Sequence, residues 1–75
     1  MKSGLLWYDG DKGKSLSEKI EQAAKRYQEK FGVEPNTCFV NPKTLTDEKQ
    51  IKHGRIRIET SNSIQLNHIW LGVSD

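Results

Sequence analysis

The chain has 75 residues, 33% of them hydrophobic and 29% charged, and a formal net charge of +2. Such a length allows one domain with a small core and excludes a second, and so slight a positive excess falls short of the concentrated basic footprint of a dedicated DNA-binding protein. A single cysteine excludes an internal disulfide and suits a reducing cytoplasm.

The apolar stretch around Leu5 and Leu6 ends at Asp9, too soon for a signal-peptide core or a membrane span, so a soluble cytoplasmic protein with no membrane partner is expected. Leu5 to Tyr8 reads as a first strand, closed by the turn-forming run Asp9-Gly10-Asp11-Lys12-Gly13. Leu16, Ile20, Ala23, Ala24, Tyr27 and Phe31 then recur at helical spacing among charged residues, the pattern of an amphipathic helix. Ser15 with Glu18 three residues on matches a capping box. Gly32 supplies a left-handed stop, Val33 is placed to fold back toward Tyr27, and Pro35 prevents continuation.

Thr37 to Asn41, "TCFVN", is β-branched and aromatic and reads as a second strand ended by Pro42. A strand, a helix and a strand joined by short loops make a crossover unit, so these two strands are expected to be parallel, adjacent or with a gap for a third. Lys43 to His53 is polar, and Thr44, Thr46 and Asp47 are candidate caps for a turn of helix there. Arg55 to Glu59 alternates, with Ile56 and Ile58 on one side and Arg55, Arg57 and Glu59 on the other, as in a half-buried antiparallel strand. Ser61-Asn62-Ser63 turns the chain into a last strand.

In that strand Ile69, Leu71 and Val73 share one face and His68, Trp70 and Gly72 the other, whereas Ile64 and Leu66 fall in phase with His68. The apolar phase therefore slips at Asn67. A one-residue slip means a bulge or a strand start, and asparagine tolerates the left-handed conformation such an irregularity needs. The structural reading is a kink at Asn67 with His68 as the first strand residue. The chemical reading makes Cys38 a thiol nucleophile with His68 or His53 as its base and Asn67 as orienter. A chain with one helix leaves little wall for a catalytic cleft, and a lone cysteine in phase with Val40 behaves more often as a small hydrophobe. No catalytic residue is therefore assigned.

Metal sites announce themselves by paired short spacings that are absent here, so no metal is expected. Gly10 to Ser15 resembles a phosphate loop only superficially, because Tyr8 stands where the first glycine of that motif belongs. No cofactor is expected either.

One helix covers one face of a sheet. If Ile56, Ile58, Ile69, Leu71 and Val73 face it, then Arg55, Arg57, Glu59, His68 and Trp70 lie on the uncovered side, joined by Trp7 or Tyr8. Arginines interleaved with aromatics resemble the stacking platforms that hold single-stranded nucleic acid. The same surface also suits a protein partner or a homodimer, and a purely structural role would have Trp70 packed on the stems of Arg55 and Arg57.

The run Leu5 to Asp9, then Ala23-Ala24 leading to Tyr27 to Gly32 with Pro35, then Cys38 to Pro42 and finally Asn67 to Gly72, with the pattern YxxKFGxxP, CxVxP and NHxWLG, together resemble a group of small bacterial proteins of unassigned function. The likeness covers most of the chain except residues 43 to 54, and NHxWLG is its most specific element. The group carries proline before the Asn-His pair, where this chain has Gln65-Leu66. The resemblance implies a bacterial source and transfers no site residue.

These readings converge on a two-layer α+β domain in β-α-β-β order, one amphipathic helix on a mixed sheet of about four strands. The expected function is that of a small non-enzymatic interaction module that binds protein or itself through the uncovered face. Arg55, Arg57, His68 and Trp70 are its candidate binding residues, and single-stranded nucleic acid is the alternative partner.

Overall fold

The computed structural model describes residues 4–44 and 52–74. Its elements are β1 (Gly4–Tyr8), α1 (Leu16–Phe31), β2 (Thr37–Val40), β3 (Lys52–His53), β4 (Ile56–Thr60) and β5 (His68–Gly72). The helix packs on one face of a five-stranded mixed sheet ordered β1-β5-β2-β4-β3. The expected two-layer α+β architecture is the one the chain adopts, with a fifth, two-residue strand added at one edge.

The helix is specified at both ends. Ser15 is extended, with φ −72° and ψ 163°, and its Oγ accepts the Glu18 N–H at 3.2 Å, the serine half of the capping box. Gly32 takes φ 76° and donates its N–H to the Gln28 carbonyl at 2.8 Å; a side chain at that φ would be strained, which is why glycine ends the helix. Ile20, Ala23 and Tyr27 are buried against the sheet. Val33, expected to fold back toward Tyr27, is 54% exposed and lies outside the core cluster. Phe31, one helical turn beyond Tyr27, takes that place with ring centroids 4.6 Å apart.

β1 and β2 each pair antiparallel with β5 and are therefore parallel to one another. The crossover through α1 leaves one strand's width between them, and β5 fills it. β4 pairs parallel with β2 and antiparallel only with β3, which corrects the antiparallel expectation for residues 55 to 59. Alternation of buried and exposed residues reports a sheet with one wet face and carries no information about the direction of a neighbour. Of the turn of helix expected between Lys43 and His53, residues 45–51 lie outside the described residues; Lys52 and His53 form β3. A two-residue turn, Gly54-Arg55, joins β3 to β4, with Gly54 at φ 59° as a hairpin turn led by glycine requires.

The core lies wholly between the two layers. Cys38, Val40, Ile56, Ile58, Ile69 and Leu71 project from the sheet to meet Ile20, Ala23 and Tyr27, with Leu5, Trp7, Leu16, Phe31 and Val73 around them. Among the described residues, no helix is long and apolar enough to cross a membrane.

Candidate functional site

The pairing register fixes which side chains share the face opposite the helix. Across β1, β5 and β2 it aligns Leu6 with Trp70 and Phe39, and Gly4 with Gly72 and Thr37; across β1 and β5 it aligns Tyr8 with His68. β4 extends two of these rows, setting Glu59 beside Phe39 and Arg57 beside Thr37, and β3 adds Lys52 next to Arg57. Since side chains alternate along a strand, all of these project away from the core.

Trp70 is the centre of the arrangement. Its indole lies over Gly4 and Gly72, so closely that a Cβ built on either glycine would fall 2.2 Å from an indole carbon. Two glycines paired across β1 and β5 thus form a bare patch of backbone on which the ring rests, and the Phe39 ring lies 5.6 Å from it at an interplanar angle of 52°. Such tilted pairs add to the area the rings bury. Tyr8 and His68 form a second aromatic pair, with centroids 5.1 Å apart. The exposed groups are large: Leu6 is 58% and Tyr8 64% exposed.

The approach to β5 frames one side of this face. Ser61 N–H donates to the Val40 carbonyl, Ile64 N–H to Ser61, and His68 N–H to Gln65, so residues 61 to 67 run as successive turns. Asn41 Nδ2 donates to the Ile64 carbonyl at 2.8 Å and ties these turns to the end of β2. Asn67 stands at φ 64°, the kink read from the sequence, and β5 begins at His68. The His68 Nδ1 lies 2.8 Å from the Leu66 carbonyl. A carbonyl only accepts, so this nitrogen carries a proton and donates it. Leu6, Ser63, Ile64, Gln65, His68 and Trp70 together enclose a depression of about 330 Å³.

Three of the four expected residues, Arg57, His68 and Trp70, lie on this face. Arg55 does not: it stands in the β3–β4 turn and lines a separate groove on the helix side with Glu21, Lys25, Gln28 and His53. The strand's alternation starts at Ile56, so it never extended to Arg55. Arg57 is also removed from the indole, because β2 intervenes and its Nη2 donates to Ser74 Oγ at 3.3 Å. Among the described residues the cation–π contact is that of Lys30 with Phe31, on the helix. Packing of Trp70 on arginine stems is thus replaced by packing on glycine backbone and Phe39.

Leu6 and Phe39 were missing from the sequence reading. Phe39 was recoverable, since Cys38 and Val40 were placed on one face of the second strand and alternation puts Phe39 on the other. Leu6 follows once Tyr8, not Trp7, is assigned to the open side, and only the position of the helix makes that choice. Trp7 turns inward beside the core, with Nε1 buried and unpartnered among the described residues.

Cys38 is fully buried beneath the helix, and burial pushes its thiol up to about 12. His68 lies on the opposite face of the sheet, so the two do not form a nucleophile and base pair. Among the described residues no three His, Cys, Asp or Glu side chains are grouped to hold a metal ion. No known protein family, curated protein or solved structure matches this chain, and what it does has to be read from its own geometry.

Proposed function

We propose that this protein is a small non-enzymatic interaction module whose open sheet face binds a protein partner, with the depression beside Trp70 receiving an apolar side chain. The observation that carries this reading is the contiguous set Leu6, Tyr8, Trp70 and Phe39, with Ile64 and Leu66 on the framing turns. Leu6, Tyr8 and Leu66 are each more than half exposed, an arrangement a small domain with few hydrophobic residues does not need for its own core. Aromatic anchors in partly enclosed pockets carry much of the energy at protein interfaces. A lone, buried thiol fits a reducing cytoplasm as the site of action.

Single-stranded nucleic acid ranks second. Stacking surfaces of that kind sit within a basic groove, whereas this face offers Arg57 and Lys52 against Glu59, with Arg55 turned to the other side. Peptides selected for binding to the protein from a random display library, followed by amide shift mapping, test the proposal. The expected result is enrichment of sequences with an aromatic or large aliphatic anchor, shifts at Leu6, Phe39, His68 and Trp70, and a loss of about 2 kcal/mol on Ile64→Ser. Shifts confined to the groove around Arg55 would overturn it, and oligonucleotide binding that weakens steeply with salt would replace it by the second reading.

A further inference from the structure

The two edges of the sheet differ in how they are guarded. β3 is two residues long and carries Lys52 and His53, a short, polar edge of the kind that discourages further pairing. β1 is five residues long, Gly4-Leu5-Leu6-Trp7-Tyr8, continuously paired with β5 on its inner side and without a charge, a proline or a bulge. Asp9 N–H donates to the Asn67 carbonyl at 2.9 Å at the end of that ladder. Bonding alternates along an antiparallel pair, so Trp7 and Leu5 bond inward as Asp9 does, and Gly4, Leu6 and Tyr8 direct their backbone N–H and C=O groups outward. Among the described residues no strand pairs with that side.

We infer that a second copy of this chain pairs antiparallel along β1, about a twofold axis at Leu6, joining the two sheets into one. This register sets Leu6 opposite Leu6 of the second copy and Gly4 opposite its Tyr8, so every outward backbone group meets another outward group. The side chains suit it. On the open face the exposed Tyr8 of each copy comes beside Gly4 of the other and the Trp70 indole that lies over it, an aromatic neighbour at both ends, and on the helix side Leu5 faces Trp7. No like charges are opposed, which a twofold contact would otherwise bring face to face. The pairing rests on the outward backbone groups of β1 and shares only Leu6 with the rim of the depression beside Trp70, so Ile64→Ser, which alters the depression and not the strand, separates it from the binding reading above.

The test keeps every side chain and removes one hydrogen-bond donor. The chain is short enough for chemical synthesis, with Cys38 as the ligation junction, and an N-methyl group placed on the Leu6 amide blocks the outer edge alone. Sedimentation of the unmodified protein from micromolar to millimolar concentration is expected to pass from 8.6 kDa to twice that mass. The N-methylated chain is expected to stay at the monomer mass with an unchanged circular dichroism spectrum, while Ile64→Ser dimerises like the parent. In a dimer of mixed isotope labelling, a close contact between the Hα atoms of Leu5 in one copy and Trp7 in the other is the signature of this register, and it decides the matter even if the N-methylated chain folds poorly. A parent protein that stays monomeric throughout, or a dimer without that contact, would overturn the inference.

Discussion

Trp70 and the two glycines beneath it are a coupled unit, and the coupling is measurable. A methyl group at position 72 would lie 2.2 Å from the indole Cη2 and within 2.9 Å of two further ring carbons. Gly72→Ala is therefore expected to lift the ring and cost about 1–3 kcal/mol, as overpacking does. In a Trp70→Ala background the same change should cost almost nothing, because the atoms it strikes have gone. Urea denaturation of the four proteins of this cycle checks it; equal costs in both backgrounds would mean that the ring is not seated on Gly72. Cys38 gives a second residue-scale expectation. Burial holds the folded thiol protonated up to about 12, whereas an unfolded cysteine ionises near 8.5. The unfolded chain then releases its proton first, so the thiol's contribution favours folding fully below that pH and falls as pH rises from there toward 12, by at most about 1.4 kcal/mol per pH unit. The difference between the parent and Cys38→Ala, followed from pH 7 to the alkaline side by denaturant midpoints, isolates this from the lysines and tyrosines.

At the scale of elements, what was legible in the sequence is what local chemistry determines. Ser15 and Gly32 bound the helix because each satisfies or redirects backbone groups within one turn, and Ser15→Ala is expected to cost about 1 kcal/mol in thermal or urea unfolding without changing the fold. Asn67 and the phase slip before Ile69 located the start of β5 to the residue. The direction of β4 and the insertion of β5 between β1 and β2 were not legible, since both are pairings between segments far apart in the chain. The same cause explains the site. His68 and Trp70 follow from counting along one strand, but the neighbours of Trp70 are set by the register of β1, β5 and β2 together. Arg55 was assigned by extending an alternation one residue too far, although the glycine before it signals a hairpin turn.

For the whole molecule, the order of strands and the single helix produce an asymmetric object. One face of the sheet is sealed by Ile20, Ala23 and Tyr27, and the other presents aromatic and aliphatic groups. The charges that flank the open face, Arg57, Glu59 and Lys52, collect toward β4 and β3, while the β1 side is uncharged from Gly4 to Tyr8. A partner that meets this face encounters an apolar half and a polar half, which favours a protein surface over a uniformly anionic polymer. The measurement closest to this claim is the relaxation that a soluble gadolinium chelate induces in side-chain protons at a concentration where the protein is monomeric. The account requires strong broadening of the Leu6, Tyr8 and Ile64 side chains, an intermediate effect on the Trp70 ring, and none at Leu71, Val40 and Ile20. Leu6 and Trp70 as protected as Leu71 would mean that the face is covered by the protein itself, and the binding role assigned to it would fall.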